Sequence, residues 1–124
     1  MNYKEEVTTL LEDIDVAKQK VKRLNAEEAE RILANVGDKS EDENGNPVSV
    51  IEFTDGDSVT DEDSDVTYIP QNVMQVDEDD DTKIYIGYYK EYEDELYSIE
   101  IENLPLSVQT RVVFMLREYE RFSL

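Results

Sequence analysis

The sequence predicts one α+β domain over residues 1–124: two N-terminal helices, a small antiparallel sheet of three to five strands around a central hairpin, and a C-terminal helix packed on one sheet face. Three observations carry that expectation. The first 24 residues space their apolar side chains by threes and fours, as a helix does. The runs Lys83 to Lys90 and Leu96 to Glu102 set isoleucines and tyrosines at every second position, as strands do. Leu106 to Phe122 then returns to helical spacing. The chain divides into a helical segment (1–36), acidic loops with short strands (37–82), and the hairpin plus the last helix (83–124).

In the first helix, Tyr3, Val7, Leu10, Ile14, Ala17, Val21 and Leu24 form a stripe of 4-3 spacing, widened by Leu11 and Val16. Acids (Glu5, Glu6, Glu12, Asp13, Asp15) precede bases (Lys18, Lys20, Lys22, Arg23), the order that complements the helix macrodipole. Such a stripe either lies on its own domain's core or pairs with another copy through Val7, Leu10, Ile14 and Val21. Asn25 and Glu28 have capping-box spacing, so a second helix is expected from Ala26 to Val36, ended by Gly37.

The next stretch, Asp38 to Pro47, reads as a polar loop turning at Asn44-Gly45. Val48 to Phe53 is the first strand. An acidic loop, Asp55 to Asp65, leads to β-like pieces at Val66 to Ile69 and Val73 to Val76, with Pro70 between them marking an edge or a bend. The run Asp77-Glu78-Asp79-Asp80-Asp81 precedes the hairpin.

The hairpin register follows from its apolar residues. Pairing Tyr89 with Leu96, Tyr88 with Tyr97, Ile86 with Ile99 and Ile84 with Ile101 gathers Ile84, Ile86, Tyr88, Tyr97, Ile99 and Ile101 on one face. A shift of one residue scatters them. The other face then carries Tyr85, Gly87, Tyr89, Leu96, Ser98, Glu100 and Glu102. In the last helix, Val108, Val112, Met115, Leu116, Tyr119 and Phe122 form the expected buried stripe, with Val113 at its margin; Phe114 falls on the opposite side.

Composition narrows the chemistry. There is no cysteine and no histidine, which removes disulfides, thiolate sites, the commonest general base and the commonest metal ligand. No apolar run is long enough to span a bilayer, and Met1 to Glu6 lacks the order of a secretory signal, so a soluble cytoplasmic protein is expected. The formal charge is −20, and fifteen of the acids fall between residues 40 and 82, where no Lys or Arg occurs. That middle stretch repels itself unless a basic partner, cations or local geometry hold it.

The acidic loops do not match a calcium loop. With Gly45 at position 6, Ser40, Asp42 and Asn44 fall at 1, 3 and 5, but Ile51 stands where a bidentate Glu is needed. Asp55, Asp57, Asp61, Asp63 and Asp65 are left as weak candidates for divalent cations, against a solvated loop as the plain reading. Asp81-Thr82-Lys83 has only a tripeptide's likeness to nuclease strands, and the four glycines form no phosphate loop. A serine nucleophile lacks a base.

No catalytic residue and no cofactor is therefore assigned. The expected function is non-enzymatic: an acidic protein-binding module, resembling in composition and size alone the phage or mobile-element inhibitors and immunity proteins that mimic nucleic acid and occupy the basic surface of a nucleic-acid-binding protein. Tyr85, Tyr89, Tyr92, Phe114, Asp77, Glu78, Asp79, Asp80, Asp81, Glu100 and Glu102 are its candidate contacts, against the plainer reading that the tyrosines are packed and the acids confer solubility. Direct binding to nucleic acid or membrane is not expected. The alternative is an assembly subunit that oligomerises through the N-terminal heptads.

Overall fold

The computed structural model describes residues 3–54 and 57–123, with side chains from Ile14 onward. Its elements are α1 (Tyr3–Val36), β1 (Asp38–Glu41), β2 (Pro47–Glu52), β3 (Val59–Thr60), β4 (Thr67–Glu78), β5 (Asp81–Lys90), β6 (Tyr97–Glu100), a short 3-10 turn (Ile101–Asn103) and α2 (Leu106–Ser123). The fold is α+β, with two helices against one antiparallel sheet of order β1-β2-β4-β5-β6, β3 lying beside β4.

Several expectations are corrected. The two N-terminal helices are one, because nothing between Leu24 and Ala26 breaks a helix and Asn25 finds a different partner: its Nδ2 donates to Gln109 Oε1 of α2 at 3.3 Å. Asp38 to Glu41, read as loop, pairs with β2 and makes six strands in all. The pieces on either side of Pro70 are one 12-residue strand, whose register shifts at a bulge between Pro70 and Asn72. The run Asp77 to Asp81 is the tight turn of a β4–β5 hairpin, with Glu78 facing Asp81 across it.

The hairpin register holds where the ladder exists. Tyr88 faces Tyr97 and Ile86 faces Ile99. It ends one step short at either end, since Leu96 precedes β6 and Ile101 starts the 3-10 turn. Phe122 is a further correction: in the last turn of α2, next to its final residue Ser123, it is 79% exposed, while Val113 is buried.

One core seals one sheet face. Ala29, Ile32 and Leu33 of α1 and Val108, Val112, Val113 and Leu116 of α2 pack on Ile51, Val73, Ile84 and Ile86 from three neighbouring strands. Burying each large side chain contributes roughly 1.5–3 kcal/mol. Gly37 lets α1 turn into β1, since a Cβ there would lie 2.5 Å from the Leu33 carbonyl oxygen. Lys39 covers the helix end, its Nζ donating to the Leu33 carbonyl and to Ser49 Oγ, both at 2.7 Å.

The helices run in the same direction, as the successive contacts Asn25–Gln109, Glu28–Arg117 and Arg31–Glu120 require. Gln109 is fully buried at their crossing. Its Nε2 donates to the carbonyls of Leu104 at 2.9 Å and Glu102 at 3.4 Å, tying α2 to the loop that enters it. Arg31 bridges Glu28 at 2.6 Å and Glu120 at 3.0 Å, and Asn35 also donates to Glu120. Hydrogen bonds from Arg31 hold both carboxyls below the ordinary glutamate range, assisted at Glu120 by Asn35.

Two outcomes follow. Gln109→Leu keeps the volume but strands Asn25 and the Leu104 carbonyl, so chemical denaturation should report a loss of about 1–3 kcal/mol. The lowered carboxyls of Glu28 and Glu120 stabilise the fold above their unfolded value near 4.5, and that contribution is lost as pH falls through their folded values. Arg31→Ala should therefore lower Tm at pH 7, and its deficit from wild type should shrink in acid.

Candidate interaction surface

The helices cover one side of the sheet; among the described residues, none covers the other. Strand alternation assigns the side chains there. Following the pairings across the sheet, one row reads Ser40, Val48, Val76, Lys83; the next reads Asp38, Val50, Met74, Tyr85, Glu100; and a third reads Glu52, Asn72, Gly87, Ser98. Beyond the bulge, Ile69 and Tyr89 pair on the same side. The centre of this face is thus apolar and aromatic, with Val48 itself buried by its neighbours and Val50, Ile69, Met74, Val76, Tyr85 and Tyr89 half-buried.

Its rim is acidic. Asp38 and Glu100 end the middle row, Glu52 ends the next, and Glu78 and Asp81 close the β4–β5 ladder. Among the described residues Lys83 is the only base that alternation places on this face, and its Nζ lies 3.9 Å from Glu100. At the centre, Gly87 faces Asn72 so closely that a Cβ on it would stand 2.6 Å from the Asn72 amide oxygen. The Asn72 side-chain amide thus fills the space over Gly87, between Tyr85 and Tyr89.

The structure brings together only part of the candidate set. Tyr85, Tyr89 and Glu100 share the open face, with Glu78 and Asp81 at its edge. Asp77 turns to the helix side, where it accepts the Thr82 hydroxyl at 2.8 Å. Tyr92, 97% exposed, lies past the far end of β5, about 30 Å along the strand from the acidic turn. Phe114 is half exposed on α2 beneath Arg111, and Glu102 is exposed in the 3-10 turn, so neither belongs to the open face.

The residues that sequence reasoning missed are Val48, Val50, Ile69, Met74 and Val76. Their signal is a strand apolar at both alternate positions, visible in Val48-Ser49-Val50-Ile51 and Val73-Met74, which means two faces in need of cover.

The other candidates are engaged singly. Asp57 pairs with Arg111 at 2.7 Å, and buried Asp61 accepts the Ser64 hydroxyl at 2.7 Å. Asp63 and Asp65 are exposed, and Asp55 lies outside the described residues. Among the described residues no three acidic side chains gather as a metal site would require, and no helix is long and apolar enough to cross a membrane. Asp42 shapes the β1–β2 turn, accepting backbone N–H groups of Asn46 and Asn44, and these bonds, that of Asn46 foremost, lower its pKa. Of the oligomerisation set, Ile14 and Val21 are exposed, at 52% and 39%, while the side chains of Val7 and Leu10 lie outside the described residues.

Geometry separates acids that the fold needs from acids that it tolerates. Asp79 and Asp80 both have positive φ, at 48° and 62°, in a two-residue hairpin turn where Asn-Gly is the preferred pair. Asp79→Asn with Asp80→Gly should therefore raise stability by about 1 kcal/mol, read as a higher Tm. Tyr92 is held at φ 68° with its ring in solvent, a conformation bulky residues rarely adopt. No protein-family model, curated protein or solved structure matches this chain.

Proposed function

We propose that this chain is a non-enzymatic binding module whose open sheet face docks on a basic protein, in the manner of an inhibitor or immunity-type protein that occupies the surface another protein uses for nucleic acid. The observation that carries this reading is the cross-strand row Asp38, Val50, Met74, Tyr85, Glu100: apolar and aromatic in the middle, acidic at both ends, with no helix over it among the described residues. An apolar centre with a tyrosine anchor supplies affinity, and a carboxylate rim supplies attraction at a distance and selects basic partners. The net charge of −20 extends that attraction beyond the face itself. The Asp79-Asp80 turn adds charge at a place where the backbone favours other residues.

A second reading, an assembly subunit oligomerising through its N-terminal helix, is favoured by the exposed Ile14, Val21 and Leu24 on α1.

The binding reading is tested with the immobilised chain and an extract of its native host. It should retain a basic, nucleic-acid-binding protein, release it as salt rises above about 0.1 M, and release it to added duplex DNA or RNA. Changing Tyr85 and Tyr89 together to Ala should weaken capture by about 2 kcal/mol or more while the chain still unfolds cooperatively. Capture that neither salt nor nucleic acid disturbs would reject the mimicry.

A further inference from the structure

Between Ile14 and Leu24, α1 has little cover from the described residues of its own domain. Ile14, Val16, Val21 and Leu24 are 52%, 67%, 39% and 52% exposed, whereas Ala29, Ile32 and Leu33 of the same helix are completely buried. A helix standing alone in water is only marginally stable. This one carries a seam: in heptad notation Val7, Ile14 and Val21 occupy a, and Tyr3, Leu10, Ala17 and Leu24 occupy d.

We propose that α1 pairs antiparallel with α1 of a second copy of this chain, the two-fold axis passing between Ile14 and Ala17. Charge selects the orientation. The first half of the helix carries Glu5, Glu6, Glu12, Asp13 and Asp15, and the second carries Lys18, Lys20, Lys22 and Arg23. An antiparallel pair lays the acidic half of one copy along the basic half of the other; a parallel pair lays like along like. Setting Ile14 against Ala17 brings Leu10 to Val21 and Val7 to Leu24, and places Asp13, at g, opposite Lys20 of the second copy twice over. It leaves Glu6 near Glu27 at each end, where solvent screens the repulsion. A parallel pair also gains two flank attractions, Asp13 of each copy with Lys18 of the other, but it lays the remaining acids of the two first halves alongside one another.

Side-chain size agrees with charge. In parallel register Ala17 meets Ala17, a thin spot in the middle of the seam. In the antiparallel register each Ala17 meets an Ile14, so both central layers are filled. The seam and the open sheet face lie on different elements, and failure of one leaves the other standing.

Sedimentation equilibrium over rising concentration of the full chain should show a monomer–dimer equilibrium. Ile14→Asp should weaken it about tenfold or more, because a carboxylate is taken into an apolar seam. Core stability should be kept, since Ile14 is exposed in the single chain. Orientation is read by oxidation, because the chain has no cysteine of its own. Chains carrying Val7→Cys and Leu24→Cys should cross-link to each other when mixed, and far less when either is alone. A chain that stays monomeric throughout overturns the pairing, and efficient cross-linking of Val7→Cys alone overturns the antiparallel arrangement.

Discussion

The alternation of side chains along β4 and β5 is the constraint on which the rest of the molecule depends. It delivers Val73, Ile84 and Ile86 to the helices and sends Met74, Val76, Tyr85 and Tyr89 to the other side. The bulge between Pro70 and Asn72 is where this pattern is reset. Without it, the alternation set by Val73 would point Ile69 into the helix side and Pro70 away from it. With it, Ile69 joins the open face and Pro70 is buried opposite Tyr88, whose ring lies 5.0 Å from that of Tyr68. One inserted residue thus divides the apolar side chains of a 12-residue strand between two duties.

Much of the architecture could be read from residue spacing alone. The helical stripes and the hairpin register are local patterns, and Ile86 with Ile99 and Tyr88 with Tyr97 pair as those patterns require. The errors came where a distant partner decides. Asn25 looked like a cap because Glu28 follows at the right interval, but Gln109, 84 residues away, takes its amide and Arg31 takes the Glu28 carboxylate. Asp38 to Glu41 has no strand composition; it is a strand because β2 offers an edge and Lys39 can reach the end of α1. Tyr85, Tyr89 and Glu100 fell on one face by register, but their neighbours Val50 and Met74 come from strands whose positions only the topology fixes. Helical spacing puts Phe114 away from the buried stripe and the loop puts Tyr92 in solvent, but neither local pattern says which face of the molecule they join.

Among the described residues, acidic side chains serve the fold at few places. Glu28 and Glu120 clamp α1 to α2 through Arg31, Asp42 organises a turn, and Asp61 and Asp77 accept hydroxyls. The carboxylates that rim the open face do little of this kind, apart from Glu100 near Lys83. Repulsion among them is a standing cost to the compact state, and it is relieved wherever positive charge approaches. Stability and attraction for positive charge are therefore linked in the same side chains: what weakens the isolated domain would strengthen its encounter with any cationic surface.

The continuity of α1 through Asn25 has a mechanical meaning. At about 1.5 Å per residue, its 34 residues make a strut of roughly 50 Å, anchored at one end by Ala29, Ile32 and Leu33 in the core. A joint at Asn25 would have let the two halves swivel. An unbroken helix instead transmits direction, so whatever grips its first turns holds the sheet at a set angle and distance. Two such struts paired side by side and antiparallel would keep two open faces at a fixed spacing, and a target with sites at that spacing would be bound with an effective concentration fixed by the helix rather than by diffusion.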